Sequence, residues 1–196
     1  MSMRAAKDDT PMRQRILDLA EEMLLSRGYE GFSYQDIADA IGIRKASIHH
    51  HFAAKEDLGG AIVERARIRL AEMRGPVSED AARVRKLLDN YFRFFERLSE
   101  EGKKLCLGGR LAADQAVLPE AVRAPHRAFL GDNEIWLSEL MRAGQKTGVI
   151  KREQTPADLA LMLRATVQGA VQIARTSGSA EPFRRIVRQL KQQLLA

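Results

Sequence analysis

Residues 32–58, FSYQDIADAIGIRKASIHHHFAAKEDL, constrain the fold most strongly, because they predict two short helices joined by a tight turn and followed directly by a third helix. Ser33 is a favourable N-cap, and Asp36 three residues later can complete a capping box. Gly42 can supply the left-handed or close-packed backbone that a tight interhelical turn requires. The segment therefore predicts a helix-turn-helix, although a short helix, a glycine and another short helix also occur in many other helical proteins.

The second helix of this motif, predicted over residues 44–52, has a small apolar face formed by Ala46, Ile48 and Phe52. Its other face carries hydrogen-bond donors suited to phosphates and base edges in a major groove, which is wide enough to admit a helix. These polar residues are Arg44, Lys45, Ser47, His49 and His50. The pattern predicts double-stranded DNA as a partner.

Residues 10–70 resemble the DNA-binding domain of the TetR family of bacterial transcriptional regulators. The matching landmarks, in chain order, are Arg27-Gly28-Tyr29, Phe32-Ser33, Asp36-Ile37-Ala38, Gly42-Ile43, Lys45-Ala46-Ser47-Ile48, Phe52 and Lys55-Glu56-Asp57-Leu58. The resemblance implies that Ser33 and Lys55 grip the DNA backbone, and that the polar residues of the second helix enter the groove. Tyr34 is assigned to the same DNA-binding surface.

Two residues depart from the usual family pattern. The family often has tyrosine where this chain has His49, which keeps an aromatic hydrogen-bonding side chain but puts its contact in doubt. Ala54 stands where a serine or a related cap is common, so the following helix is expected to lack a side-chain cap, at a cost of about 1 kcal/mol. Its free backbone amides can still face a phosphate.

The net charge of +6 and the pI of about 9.7 do not by themselves indicate a nucleic-acid partner. Residues 1–60 contain eight Lys or Arg and ten Asp or Glu, a balance of −2, so the rest of the chain holds +8. DNA binding is indicated instead by the placement of Arg44, Lys45 and Lys55, with Arg4 and Lys7 on an N-terminal tail. Affinity is expected to rest on few phosphate contacts per subunit and to fall with salt.

Apolar spacing along the rest of the chain predicts an all-α fold of about nine helices, with no useful strand period and no internal repeat. Further helices are predicted over residues 55–74, 78–102, 105–116 and 119–148, with others starting at 155 and near 182. Gly75-Pro76 ends the first of these, and Pro125 is expected to kink or interrupt the helix that contains it. The predicted domains are residues 1–54 for DNA binding, 55–75 as a connecting helix, and 76–196 for ligand binding and dimerisation.

Several other classes of protein are disfavoured by the sequence. No apolar run approaches the roughly 20 residues that cross a bilayer, and the start lacks a secretory signal, so a cytoplasmic protein without a membrane partner is expected. The run from His49 to His51 does not predict a metal site, because successive helical side chains are splayed about 100° apart. An enzyme using Cys106 and His126 lacks a third group to orient the pair. The sequence also shows no phosphate-binding glycine loop, paired-carboxylate site or zinc signature, so no cofactor and no catalytic residues are expected.

The last two helices carry apolar stripes that fit an ordinary core or a subunit interface. The TetR resemblance favours an interface, since family members pair through these two helices in a four-helix bundle. The interface residues so predicted are Leu159, Leu163, Val167, Ala170, Ile173, Ile186, Val187 and Leu190. A two-fold homodimer would place two recognition helices on successive major grooves, so a palindromic operator is expected.

The resemblance also implies a small-molecule inducer, of unknown identity, bound within the middle helices. The predicted ligand-binding residues, each of which is a core residue by default, are Tyr91, Phe92, Phe95, Cys106, Leu107, Leu111, Phe129 and Trp136. Cys106 resembles a cysteine through which some relatives sense electrophiles or oxidants, with Lys103, Lys104 and Arg110 as nearby cations. The alternatives are an inert buried thiol at this position and, for the whole protein, an activator instead of a repressor.

Overall fold

The computed structural model describes residues 11–101 and 106–196, and within these ranges the chain forms nine α-helices. In chain order they are α1 (Pro11–Arg27), α2 (Tyr34–Ile41), α3 (Lys45–His51), α4 (Lys55–Arg74), α5 (Ala81–Glu101), α6 (Leu107–Ala113), α7 (Glu120–Lys146), α8 (Pro156–Ser177) and α9 (Glu181–Leu194). The predicted all-α fold is confirmed. No described helix has the length and apolar character needed to cross a membrane.

The helix that contains Pro125 differs from the prediction, because α7 continues without a break through this proline. Proline at this position removes one helical hydrogen bond, the one that would end on the Ala121 carbonyl. That part of the α7 backbone faces Gly60 of α4, where an added Cβ would lie 2.8 Å from the Ala121 oxygen. The missing side chain at Gly60 thus allows a close approach of the two helices beside the proline.

The chain divides into two compact units whose limits differ from the predicted domain limits. The first unit comprises the described residues up to Leu70 together with Leu107–Phe129, and the second comprises those of Ala71–Cys106 together with Leu130–Ala196. The reason is burial: Leu58, Ile62 and Val63 of α4 share the apolar core of α1 to α3, and α6 contributes to that same core. Helices α4 and α7 each supply residues to both units.

The second unit is built around α8, which packs against α5 and α9. Thr155 caps α8 as predicted, since its Oγ1 accepts a hydrogen bond of 3.1 Å from the Asp158 N–H, and Pro156 occupies the first turn. Gly178 ends the helix in the left-handed conformation, with φ 68°. These caps define the two ends of α8.

Candidate nucleic-acid interface

The helix-turn-helix is held by local hydrogen bonds at both ends of α2. Ser33 Oγ accepts from the Asp36 N–H at 3.3 Å, and Asp36 Oδ2 accepts from the Ser33 N–H at 2.7 Å, which completes the predicted capping box. Gly42 follows α2 with φ 79° and ψ 37°, and its N–H donates to the Ala38 carbonyl. Because β-carbon-bearing residues rarely adopt this conformation, Gly42 determines the angle at which the chain enters α3.

Helix α3 buries one residue, Ile48, and half-buries His51, and its other residues are exposed. All five polar residues predicted to enter the groove are exposed on this short segment: Arg44, Lys45, Ser47, His49 and His50. Arg44 occupies the N-cap position but makes no side-chain capping bond. A basic, donor-rich surface of this kind has the size and chemistry that a DNA major groove accepts.

Tyr34 corrects the predicted DNA-binding set. Its side chain is 5% exposed, and its hydroxyl donates a hydrogen bond of 3.0 Å to the Phe52 carbonyl at the end of α3. Burial, with a contribution from Asp57, raises the pKa of this hydroxyl above its ordinary value. The His49 ring packs edge-on against the Tyr34 ring, and its Nδ1 lies 3.0 Å from the Ala53 carbonyl. Tyr34 is therefore buried under α3, and its hydroxyl faces the protein.

Lys55 and Ser33 occupy different environments at the edge of this surface. Ser33 is exposed, whereas the Lys55 ammonium lies over the rings of Tyr29 and Phe32, at 4.8 and 4.6 Å from their centroids. Burial lowers the pKa of Lys55, and the carboxylates of Glu30 and Asp36 act in the opposite direction. The lysine is thus held at the start of α4 by two aromatic rings.

At the start of α4, one of the two hydrogen bonds of a capping box is present. Ala54 has no side chain that could cap the helix, as predicted, but its own N–H donates to Asp57 Oδ2 at 2.9 Å. The carboxylate also lies in the first turn, where it interacts favourably with the helix dipole.

Sequence reasoning missed a contact between residues 110–114, in and just after α6, and residues 27–29 at the end of α1. The Tyr29 N–H donates to Asp114 Oδ2 at 2.7 Å, and Arg110 Nη2 donates to the Arg27 carbonyl at 3.0 Å. Gly28 lies between them with φ 90°, and a Cβ there would overlap the Arg110 guanidinium. The spacing of Arg110 and Asp114 by four residues was the available signal, but it does not reveal which carbonyl and amide the pair would bind.

The eight predicted ligand-binding residues do not form one group. Leu107, Leu111 and Phe129 belong to the first unit or pack against its core, because α6 and the start of α7 turn their apolar faces toward α1 and α4. The other five lie in or against the core of the second unit: Tyr91, Phe92, Phe95, Cys106 and Trp136. The structure thus divides the predicted residues between two cores, and ligand binding by the five of the second unit stays a prediction.

The residues of the second unit form an aromatic cluster with polar edges. The Tyr91 ring lies 5.0 Å from Phe95 and stacks on Trp136 at 6.4 Å between centroids. The indole N–H of Trp136 donates to the Gly75 carbonyl at 3.2 Å. Cys106 is half-buried at the edge of the second unit, and its thiol donates to an oxygen of Gln168 at 3.0 Å.

The predicted dimer interface also needs correction. Six of its eight residues are buried within their own chain, where they pack against α5, α7 and each other: Leu159, Leu163, Val167, Ala170, Val187 and Leu190. Only Ile173, 49% exposed, and Ile186, partly exposed, retain surface for a partner. Most of the predicted stripe is therefore the core-facing side of the two helices.

The described residues contain no group of three His, Cys, Asp or Glu side chains placed to hold a metal ion. His126 is buried, and its Nε2–H donates to the Gly108 carbonyl at 3.2 Å. This histidine is thereby engaged in joining α7 to α6 within the first unit.

The fold and the exposed face of α3 define a helix-turn-helix protein with a second helical unit. A family model described as bacterial regulatory proteins, tetR family, matches residues 16–66, and one described as a tetracyclin repressor-like C-terminal domain matches residues 81–190. The chain belongs to the TetR family, and the resemblance inferred from its sequence motifs is confirmed.

Individual relatives match over most of the chain. It is 31% identical over 179 residues to the HTH-type transcriptional repressor DhaR of Mycobacterium sp. strain GP1, a match that covers 89% of this chain and 87% of DhaR. It is 27% identical over 196 residues to the transcriptional regulator AcuR of Cereibacter sphaeroides, covering 94% and 86%. A crystal structure of a TetR family regulator from Agrobacterium tumefaciens matches with a TM-score of 0.85 and 31% identity, covering 98% and 99%.

Proposed function

We propose that this protein is a homodimeric transcriptional repressor that binds a palindromic operator and is released by a small molecule. The observation that carries the proposal is the exposed polar face of α3, presented by a capped and internally supported helix-turn-helix in a TetR family chain. Repression is favoured over activation because DhaR is named a repressor. A reporter assay on the neighbouring promoter distinguishes the two, since a repressor lowers and an activator raises transcription. As a DNA-binding protein it would work in the cytoplasm.

The proposed dimer forms through the outward faces of α8 and α9. Met162, Thr166, Gly169 and Ile173 recur at helical spacing on α8, and a Cβ added at Gly169 would meet no described atom within 4 Å beyond the neighbouring backbone of α8. An open groove of about 490 Å³ between the two helices exposes Met162, Thr166 and Ile186 among others. A two-fold axis through this face would bring the same apolar stripe of both subunits together.

Release by a ligand is proposed to follow from a population shift between two states of the dimer. A ligand that binds one state more tightly moves the equilibrium by its difference in affinity. Helix α4 is the proposed lever, because it begins at Lys55 in the first unit and ends at Arg74 in the second without a break. A ligand held near its last turn would thus act on a helix that also carries residues of the first unit.

The decisive experiment selects fragments of the source genome with the purified full-length protein and measures its mass in solution. We expect a dimer and enrichment of fragments that share an inverted repeat. A stable monomer, or no preference over random competitor DNA at low salt, would overturn the proposal. The tail residues Arg4 and Lys7, expected to reach adjacent phosphates, lie outside the described residues.

Electrophile sensing through Cys106 is the second candidate function, favoured by the half-buried thiol at the edge of the second unit. Of the three cations expected near it, Lys103 and Lys104 lie outside the described residues. Arg110 is engaged by Asp114 at 3.4 Å and by the Arg27 carbonyl. Operator release after treatment with a thiol-directed electrophile tests the idea, and an equal response of wild type and Cys106→Ser would end it.

A further inference from the structure

Arg74 and Tyr91 carry buried polar atoms that the fold does not satisfy. Arg74 Nε and the Tyr91 hydroxyl have essentially no accessible surface and no hydrogen-bond partner in the structure. The Arg74 guanidinium donates from Nη2 to the amide oxygen of Asn133, which is neutral and does not compensate its charge. Native proteins leave few buried polar groups unpaired, because each costs free energy, so two such groups at one place require a reason.

Arg74 is the charged member of this pair. Burial lowers the pKa of Arg74 to about 10, while Tyr91 and Asp132 act in the opposite direction, so the guanidinium is charged at neutral pH. Arg164, the other nearby cation, lies 3.5 Å from the Glu134 carboxylate. The site therefore holds a charged guanidinium, with the Asp132 carboxylate acting on it from nearby.

The Tyr91 hydroxyl stays protonated beside it. Burial, followed by the effect of Cys106, raises the pKa of Tyr91. Arg74, Arg164 and Asn133 act in the opposite direction, although the Asn133 amide does not reach the hydroxyl with hydrogen-bond geometry. At neutral pH the site thus offers a guanidinium N–H and a phenol O–H, both of them donors.

Aromatic rings border these donors. The Arg74 guanidinium carbon lies 5.3 Å from the centroid of the Trp136 ring, which also stacks on Tyr91, and Phe95 also packs against Tyr91. A planar fork of N–H donors matches a carboxylate in shape and charge. The adjoining rings favour a ligand with a hydrocarbon portion over a hydrated inorganic anion.

We propose that the small molecule recognised by the second unit is an organic carboxylate, whose oxygens accept hydrogen bonds from Arg74 and Tyr91 and whose hydrocarbon part packs on Trp136. This proposal rests on the proposed ligand-responsive function and specifies its ligand class. It also places the bound carboxylate at the last residue of α4, the helix proposed as the lever.

The test uses the fluorescence of Trp136, which is the single tryptophan of the chain and lies in the proposed site. Full-length protein is titrated with benzoate and propionate, with benzamide and propionamide as neutral probes of matched shape, and with inorganic phosphate. We expect a saturable change with a carboxylate and none with its amide or with phosphate. An equal response to acid and amide, an equal response to phosphate, or no response to either carboxylate up to about 10 mM would overturn the proposal.

Variants then assign the contacts. Arg74→Gln is expected to weaken carboxylate binding at least about 10-fold, because it removes a charge-assisted hydrogen bond, and Tyr91→Phe several-fold. Arg85→Gln, at an exposed arginine of α5, is the control and should bind as wild type. If Arg74→Gln does not fold by circular dichroism, Tyr91→Phe decides, and wild-type affinity in either folded variant contradicts the assignment. The titration contains no DNA, so a failure to bind an operator remains a separate result.

Discussion

Helices α3 and α8 both carry apolar residues at helical spacing, but the structure uses the two patterns differently. The seven-residue α3 buries only Ile48, so a polar face makes up most of its surface. The 22-residue α8 buries seven residues in its own unit, and a second, partly apolar stripe that includes Ile173 lies outside. In a short helix with one buried residue, the sequence thus indicates the binding face directly. In a long helix, the clearest apolar stripe in the sequence is the one that faces the core.

The largest effect is expected from replacing a leucine on the core-facing side of α8, compared with a leucine on its outward side. Leu163 has no exposed surface and Leu161 is 50% exposed. We expect Leu163→Ala to lower the free energy of unfolding by about 2–5 kcal/mol, because it leaves a cavity, and Leu161→Ala by less than about 1 kcal/mol. Urea denaturation at one fixed protein concentration measures both, since dimer stability depends on concentration. Equal losses would show that the assignment of faces is mistaken.

A charge on the outward stripe tests the proposed dimer interface. Ile173→Asp places a carboxylate in an apolar contact twice per dimer, so we expect the dimer dissociation constant to rise by about 100-fold. Gln172→Asp, at the neighbouring exposed position, is the control and should change it little. Sedimentation equilibrium over a range of concentrations gives the constants. Should Ile173→Asp dimerise like wild type while Gln172→Asp dissociates, the interface lies on another face.

The corresponding test on α3 removes a contact to DNA without touching the core. Lys45→Ala is expected to weaken operator binding about 10-fold and, if the lysine contacts a phosphate, to reduce the salt dependence by about one ion. Lys86→Ala, an exposed lysine of α5, should leave binding unchanged. Shift assays at several salt concentrations report both quantities. Unchanged affinity for Lys45→Ala would remove α3 from the proposed interface.

For Tyr34 we expect the opposite combination of results, a loss of stability without a loss of operator affinity. Tyr34→Phe removes the hydrogen bond to the Phe52 carbonyl but keeps the ring beneath α3, so unfolding should become easier by about 1 kcal/mol. Operator affinity well below the melting temperature should remain within about 2-fold of wild type, because the hydroxyl faces the protein. A large loss of affinity with unchanged stability would restore Tyr34 to the DNA-binding surface.

Local signals account for what could be predicted from the sequence. Ser33, Gly42 and Thr155 act through neighbours within five residues, so the caps, the turn and most helix bounds were predictable. Contacts distant in sequence were not: the Asp114 carboxylate accepts from the amide of Tyr29, 85 residues earlier. The division of the predicted ligand-binding residues between two cores was not predictable for the same reason, since the spacing around Leu111 shows that it is buried but not in which core.

The smallest predicted effect concerns pH and the first unit alone. All four histidines lie in this unit, and burial lowers the pKa of His126, with the hydrogen bond to Gly108 acting the other way. The pKa of His51 is also lowered, by burial first and then by His50 and Arg13. The unfolded chain therefore binds protons more readily at both positions. Stability should be complete above their unfolded pKa, which is near 6.5, and should fall as the pH drops below it toward the folded values.

His126→Gln separates the two contributions, because its side-chain amide can still donate to the Gly108 carbonyl but does not titrate. We expect the difference in urea midpoint between about pH 7.5 and pH 5 to shrink in this variant and to persist in part through His51. His50→Gln replaces an exposed histidine and is the control. The opposite result, with the whole difference kept in His126→Gln and reduced in His50→Gln, would mean that the pH dependence comes from the exposed surface of α3. The exposed face of α3 would then contribute to stability, contrary to the contrast with the buried core.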